Sequence, residues 1–108
     1  KAIASTRFIE IEVENIEEAV QAASAYELVS ESLRKALPFC IMFDNMSPTD
    51  IRSAVARVKN KNILLEASGG ITKENIKQYA KTGVDIISVG AITHSSPFFD
   101  VSLHVADI

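Results

Sequence analysis

LLEASGGITKENI, residues 64–76, takes an apolar segment that carries one glutamate straight into a Ser-Gly-Gly turn and a helix start. Apolar residues bounded by a glycine pair predict a strand that ends in a turn. Thr72, ahead of Lys73, Glu74 and Asn75, offers a hydroxyl able to cap the helix that follows. A bare connection needs one glycine or none. The run of small residues Ala67, Ser68, Gly69 and Gly70 lets the backbone come close to another group, and a phosphate suits such a strand-to-helix junction.

Outward from this stretch, strand-like and helix-like segments alternate, which is the pattern of an α/β chain with a parallel sheet. RFIEIEVE (residues 7–14) predicts a first strand, followed by helical residues 15–37 with Asn15 as cap and Pro38 as stop. One long helix or two short ones fit residues 24–37. FCIMF (39–43) predicts the second strand, and SPTDIRSAVARVKN (47–60) a helix with Ser47 as cap, Pro48 at its first position and Asp50 completing an acidic capping box. NILLEAS (62–68) is the third strand, residues 73–82 a helix stopped by Gly83, and DIISVGAI (85–92) the fourth strand. The tail, residues 101–108, alternates enough for a short strand or an extension. Ile51, Ala54, Val55 and Val58 share one helical face, as do Ile76, Tyr79 and Ala80, so both helices are expected to pack on the sheet.

The expected fold is a partial (half) open β/α barrel with about four parallel strands and intervening helices, residues 1–108 forming one domain or a piece of one. Right-handed crossovers would put all strand C-termini on one rim. Parallel edge strands with unpaired backbone groups invite association, so the sheet is expected to continue in a larger protein or to close against another copy, as a homo-oligomer.

At 108 residues and 47% apolar, the chain has room for one core and not for two. A net charge of -3 without any Lys/Arg cluster argues against nucleic acid and anionic lipid as partners. The single cysteine, Cys40, excludes a disulfide within the chain and reads as a small core residue. No apolar run approaches the ~20 residues of a membrane span, and no leader is visible, so a soluble, cytoplasmic protein is expected.

The candidate chemistry lies on the strands and their C-terminal ends. In FIEIEVE, Ile9, Ile11 and Val13 share one face, and Glu10, Glu12 and Glu14 the other. Both faces of a parallel sheet are normally covered, so three carboxylates on one face are expected to line a polar interior, where Mg²⁺ would neutralise them. Asp44 sits just past the second strand; Ser47 already fills the cap position and leaves Asp44 free for another task. Glu66, near the end of a buried strand, calls for a Lys or Arg partner or a ligand. Gly69-Gly70 and Gly90-Ala91 close neighbouring strands, an arrangement suited to holding a phosphate on backbone N–H groups. His94, four residues after Gly90, can donate toward that anion; His104 has no motif around it. EASGG lacks the Gly-x-Ser-x-Gly pattern, and no Ser-His-Asp spacing is present. An acidic rim beside a phosphate-holding rim suits phosphoryl-sugar chemistry.

Taken together, IEIEVEN, IMFDNMSP, LLEASGGIT and GVDIISVGAITHS resemble the C-terminal half of the quinolinate phosphoribosyltransferase family. The resemblance implies an open α/β barrel in a two-domain glycosyltransferase (pentosyltransferase). Such an enzyme converts quinolinate and phosphoribosyl pyrophosphate, with Mg²⁺, to nicotinate mononucleotide, carbon dioxide and pyrophosphate in NAD biosynthesis. Carried over by motif, Glu12 and Asp44 would meet the ribose hydroxyls and Mg²⁺, and Ser68, Gly69, Gly70, Gly90 and His94 the 5′-phosphate. No role carries over to Glu66. SAYELVSESLRKALPFC (24–40) stands where the family has a shorter AGADIIML-like passage, and Phe43 stands where it has leucine. The Arg, Lys and His motifs that bind the quinolinate carboxylates belong to parts of the family's chain not present here, so the chain alone is expected to lack the decarboxylating activity. Two other readings remain open: a non-catalytic half-barrel that self-associates, and a related phosphoribosyltransferase-like protein of the molybdenum-transport type.

Overall fold

Alternation along each strand decides which face meets the helices. In the computed structural model, which describes residues 8–58, 62–90 and 100–105, strands β1 (Ile9–Val13), β2 (Phe39–Asp44), β3 (Ile63–Ser68) and β4 (Ile86–Gly90) lie parallel and side by side in chain order. These are the four parallel strands expected of a half-barrel. The tail adds a fifth, β5 (Asp100–His104), antiparallel to β4, so β4 is not an edge strand. The sheet is open rather than closed on itself.

The helices α1 (Ile16–Glu27), α2 (Glu31–Ala36), α3 (Pro48–Val58) and α4 (Ile76–Ala80) fill the connections. Asn15 Oδ1 accepts the Glu18 N–H at 2.8 Å and the Glu18 carboxylate accepts the Glu14 N–H at 2.8 Å, so α1 opens with a reciprocal cap. Of the two possibilities for residues 24–37, two helices form: α1 stops at Glu27, and Ser30 starts α2 by accepting the Leu33 N–H at 3.3 Å. Ser47 accepts the Asp50 N–H at 3.1 Å, as its capping motif predicts.

α4 departs from the predicted start at residue 73 and begins at Ile76. Asn75 is the cause, because its side chain turns back into the loop: Oδ1 accepts the Thr72 N–H at 2.8 Å and Nδ2 donates to the Gly70 carbonyl at 3.0 Å. Thr72 does act as a cap, but of the turn at residues 73–75, accepting the Glu74 N–H at 3.2 Å.

The odd-numbered residues of β1 to β4 face the helices. Ile41, Phe43, Val13 and Ile87 are fully buried there with Ile51 of α3, and Ala19 and Ala54 lack the bulk to hold α1 and α3 apart. The even-numbered residues point the other way, where no described element covers them; Leu64, in a central strand, is 41% exposed. Two polar contacts brace the packing. Tyr79 of α4 donates its hydroxyl to the buried Met46 carbonyl at 3.0 Å. Below the start of β4, Asp85 extends the ladder in both directions, its N–H donating to the Leu65 carbonyl at 2.7 Å and its Oδ2 accepting the Leu65 N–H at 2.9 Å. No helix among the described residues is long and apolar enough to cross a membrane.

Tyr79→Phe keeps the ring in place and strands the Met46 carbonyl. The substitution is expected to destabilise the chain by about 1–3 kcal/mol, the usual penalty for a buried group left unpaired, read as a lowered urea midpoint at unchanged m.

Candidate active site

Two loops meet at the C-terminal end of the sheet, and their contact explains the glycine pair. β2 ends at Asp44, after which Asn45 takes the left-handed conformation (φ 59°) and donates its N–H to the Ser68 carbonyl at 2.8 Å. β3 ends at Ser68, followed by Gly69 (φ 87°) and Gly70 (φ 70°). A Cβ on Gly69 would lie 2.8 Å from Asn45 N and 3.1 Å from both Asn45 Cα and Asp44 Oδ1. The approach permitted by Gly69 is therefore that of the Asp44-Asn45 backbone. Gly70 has ordinary space, 3.5 Å to Asn45 Oδ1, and its positive φ is what requires glycine. Gly69→Ala combines strain with a clash, and an expected loss of about 1–3 kcal/mol is measurable by urea unfolding.

Register arranges the candidate residues in rows on the face turned away from the helices. Asp44, Ser68 and Ser88 lie opposite one another in β2, β3 and β4. One step toward the strand N-termini, Glu12 pairs with Met42, and Met42 with Glu66. Glu12 thus lies one strand over and one step below Asp44, while Glu14 falls just beyond β1. Gly90 is the last residue of β4 and registers with Asp100 of β5. Ala91 and His94 lie outside the described residues, and His104 closes β5.

The residue that sequence reasoning left without a role stands at the centre of the polar face. Glu66 accepts from Cys40 Sγ at 3.7 Å through Oε1 and from the Ser88 hydroxyl through Oε2. Its carboxylate, the Cys40 sulfur and a Glu10 oxygen all lie within 4.8 Å of one another. The lysine or arginine that a buried glutamate calls for is absent from its ion pairs among the described residues. Glu10 has its pKa raised, first by burial and then by a hydrogen bond to Glu66 and by the charges of Glu66 and Glu12. Burial, then the charges of Glu66 and Glu10, push the Cys40 thiol up to about 12, so it stays protonated and donates.

Cys40 is buried as expected, but on the polar face and not among the helix-facing residues. The signal was present in FCIMFD: Cys40, Met42 and Asp44 share a face, and register carries that face onto Glu66. What alternation could not give is the distance across strands.

Known proteins resemble the chain in sequence and in fold. A family model described as quinolinate phosphoribosyl transferase, C-terminal domain, matches residues 1–104. The chain belongs to this family. A relative from Methanothermobacter thermautotrophicus, named a probable nicotinate-nucleotide pyrophosphorylase (carboxylating), is 37% identical over 107 residues, covering 95% of this chain and 34% of the relative. The Rattus norvegicus protein of the same enzyme name is 35% identical over 97 residues, covering 88% of this chain and 29% of its own. Among solved structures, the nicotinate-nucleotide pyrophosphorylase from Francisella tularensis superposes with a TM-score of 0.62 at 40% identity, covering 86% of this chain and 29% of that one. The chain thus spans about a third of the length of the relatives it matches. In the described residues, the Asp44-Asn45 and Ser68-Gly69-Gly70 motifs fall at the strand C-termini of the sheet.

The raised pKa of Glu10 sets a pH dependence. Because the folded state holds the proton more tightly than the unfolded chain, whose value is near 4.5, this contribution to stability is complete below that pH. It is lost as pH rises through the folded value. Glu10→Gln is expected to flatten the decline, with the variant gaining on the parent in urea midpoints as pH rises above about 4.5.

Proposed function

We propose that this chain carries the ribose and phosphate side of the active site of a transferase. That enzyme forms nicotinate mononucleotide, carbon dioxide and pyrophosphate from quinolinate and phosphoribosyl pyrophosphate. The observation that supports the reading best is the junction of the Asp44-Asn45 and Ser68-Gly69-Gly70 loops at the strand C-termini, beside a face bearing Glu12 and Glu66. In this reading Ser68, Gly69 and Gly70, with Gly90 and His94, hold the 5′-phosphate. Glu12 and Asp44 receive the ribose hydroxyls.

The chemistry asked of these residues is positioning and charge stabilisation. Bond formation between the pyridine nitrogen and the ribose C1 passes through an oxocarbenium-like centre, which develops positive charge as pyrophosphate departs. Glu12 and Asp44 place negative charge beside that centre, and the hydroxyl contacts hold the ring in line for attack. Their donors are carboxylate oxygens, a set that fits Mg²⁺ entering together with its phosphorylated substrate. When bound, Mg²⁺ would neutralise the departing pyrophosphate, with Glu12 and Asp44 as its protein contacts.

Titration of phosphoribosyl pyrophosphate with Mg²⁺ into the isotopically labelled chain tests the reading. Amide shifts centred on Gly69, Gly70 and Gly90 are expected, and a folded sample in which these signals stay still would refute it. Asp44→Asn is expected to weaken Mg²⁺-dependent binding about tenfold while phosphate alone binds nearly as before. Equal loss of both would contradict the division of labour between the two loops.

A further inference from the structure

At the opposite end of the sheet, the short helix α2 and the start of β3 flank an open pocket of about 430 Å³ lined by Tyr26, Glu31, Arg34, Lys35 and Asn62, with the Glu31 and Lys35 side chains 76% and 77% exposed. It lies at the strand N-termini, below Phe39 and Ile63. The six-residue strand β2 separates it from the Asp44 loop by roughly 20 Å. The segment that builds most of it, residues 24–40, stands where the family resemblance has a shorter passage.

Two observations say what the cavity would take. The first concerns charge: Lys35 and Glu31 pair at 3.5 Å and cancel, so Arg34 leaves the lining with a net positive charge. The second concerns hydrogen bonding. The Arg34 Nε–H is buried and has no acceptor among the described residues. Its guanidinium carbon stands 5.3 Å from the centre of the Tyr26 ring, which is held in turn by a tilted contact with Phe39 at 5.0 Å. Arg34 is thereby fixed in orientation before any ligand arrives, and a buried donor calls for an acceptor. A guanidinium offers Nε–H and one Nη–H side by side, a fork that matches two oxygens of a carboxylate or phosphate.

We infer that this cavity is an oxyanion-binding subsite, remote from the strand C-termini, which takes a small metabolite bearing a carboxylate or a phosphate on Arg34. Its volume suits a small organic molecule more than a lone ion. Tyr26 supplies an aromatic wall, and Lys35 stands at hand to exchange Glu31 for a second ligand charge.

The test follows the Arg34 Nε–H resonance of the labelled chain during separate titrations with acetate and inorganic phosphate, with chloride at matched ionic strength as control. A saturable shift at Arg34, accompanied by the Tyr26 and Lys35 amides, is expected with at least one oxyanion and not with chloride. Whichever gives the tighter curve identifies the headgroup. Arg34→Lys, which keeps the charge and removes the fork, is expected to weaken the response of the Tyr26 and Lys35 amides about tenfold. Arg34→Met keeps the stem over Tyr26 and is expected to abolish it. Phosphate responses at Gly69 and Gly70 should be the same in all three proteins, which separates this subsite from the other rim. Absence of saturation at Arg34, an equal response to chloride, or amide curves unchanged in Arg34→Lys would overturn the inference. If Arg34→Met fails to fold, the Arg34→Lys curves decide alone.

Discussion

The Asn45 N–H reaches the Ser68 carbonyl at 2.8 Å only because position 69 carries no side chain. This contact joins the loop after β2 to the loop after β3, and both loops then take left-handed conformations that the strands alone would not impose. Asp44 is held at the rim as a consequence, and Gly70 presents its carbonyl to Asn75, which delays α4 by three residues relative to its sequence signals. Remove the space at Gly69 and each of these placements shifts together. The glycine pair thus organises the rim from inside the protein, whatever it also offers to a ligand.

A second constraint comes from covering the sheet on one side only. The helices bury the odd-numbered residues, and the even-numbered ones are left to polar chemistry. On that face Glu66, which has no ion pair among the described residues, is satisfied by neutral donors, the Ser88 hydroxyl and the Cys40 thiol. The face is therefore acidic, with Glu66 hydrogen-bonded in place. That suits a surface meant to meet hydroxyl groups and a developing cation.

Much of the fold was legible because local signals agreed with it. Ser47-Pro48 with Asp50 placed α3, IEIEV declared its two faces, and the order of alternating segments gave four parallel strands. What sequence patterns missed depended on contacts between distant residues. Asn75 reads as a helix residue until Gly70 is beside it. Cys40 reads as core until its thiol meets Glu66 diagonally across β2 and β3, 26 residues away. Whether the tail forms a strand and whether residues 24–37 make one helix or two were open alternatives, since propensity is nearly equal on either side and packing decides. At the candidate site, the residue types were readable from the motifs, but the reason for Gly69 was a neighbouring loop, which no linear spacing reveals.

Asp85 presents Leu65 with a backbone donor and a side-chain acceptor from one residue. A strand can slip by two positions and keep every side chain on its proper face, so alternation by itself does not forbid that error. With Asp85 holding both hydrogen-bonding groups of Leu65, a two-residue slip would put Ile87 or Gly83 in its place, and neither can supply the acceptor. One carboxylate at the foot of β4 thus proofreads the register of the strand whose far end delivers Gly90 to the rim.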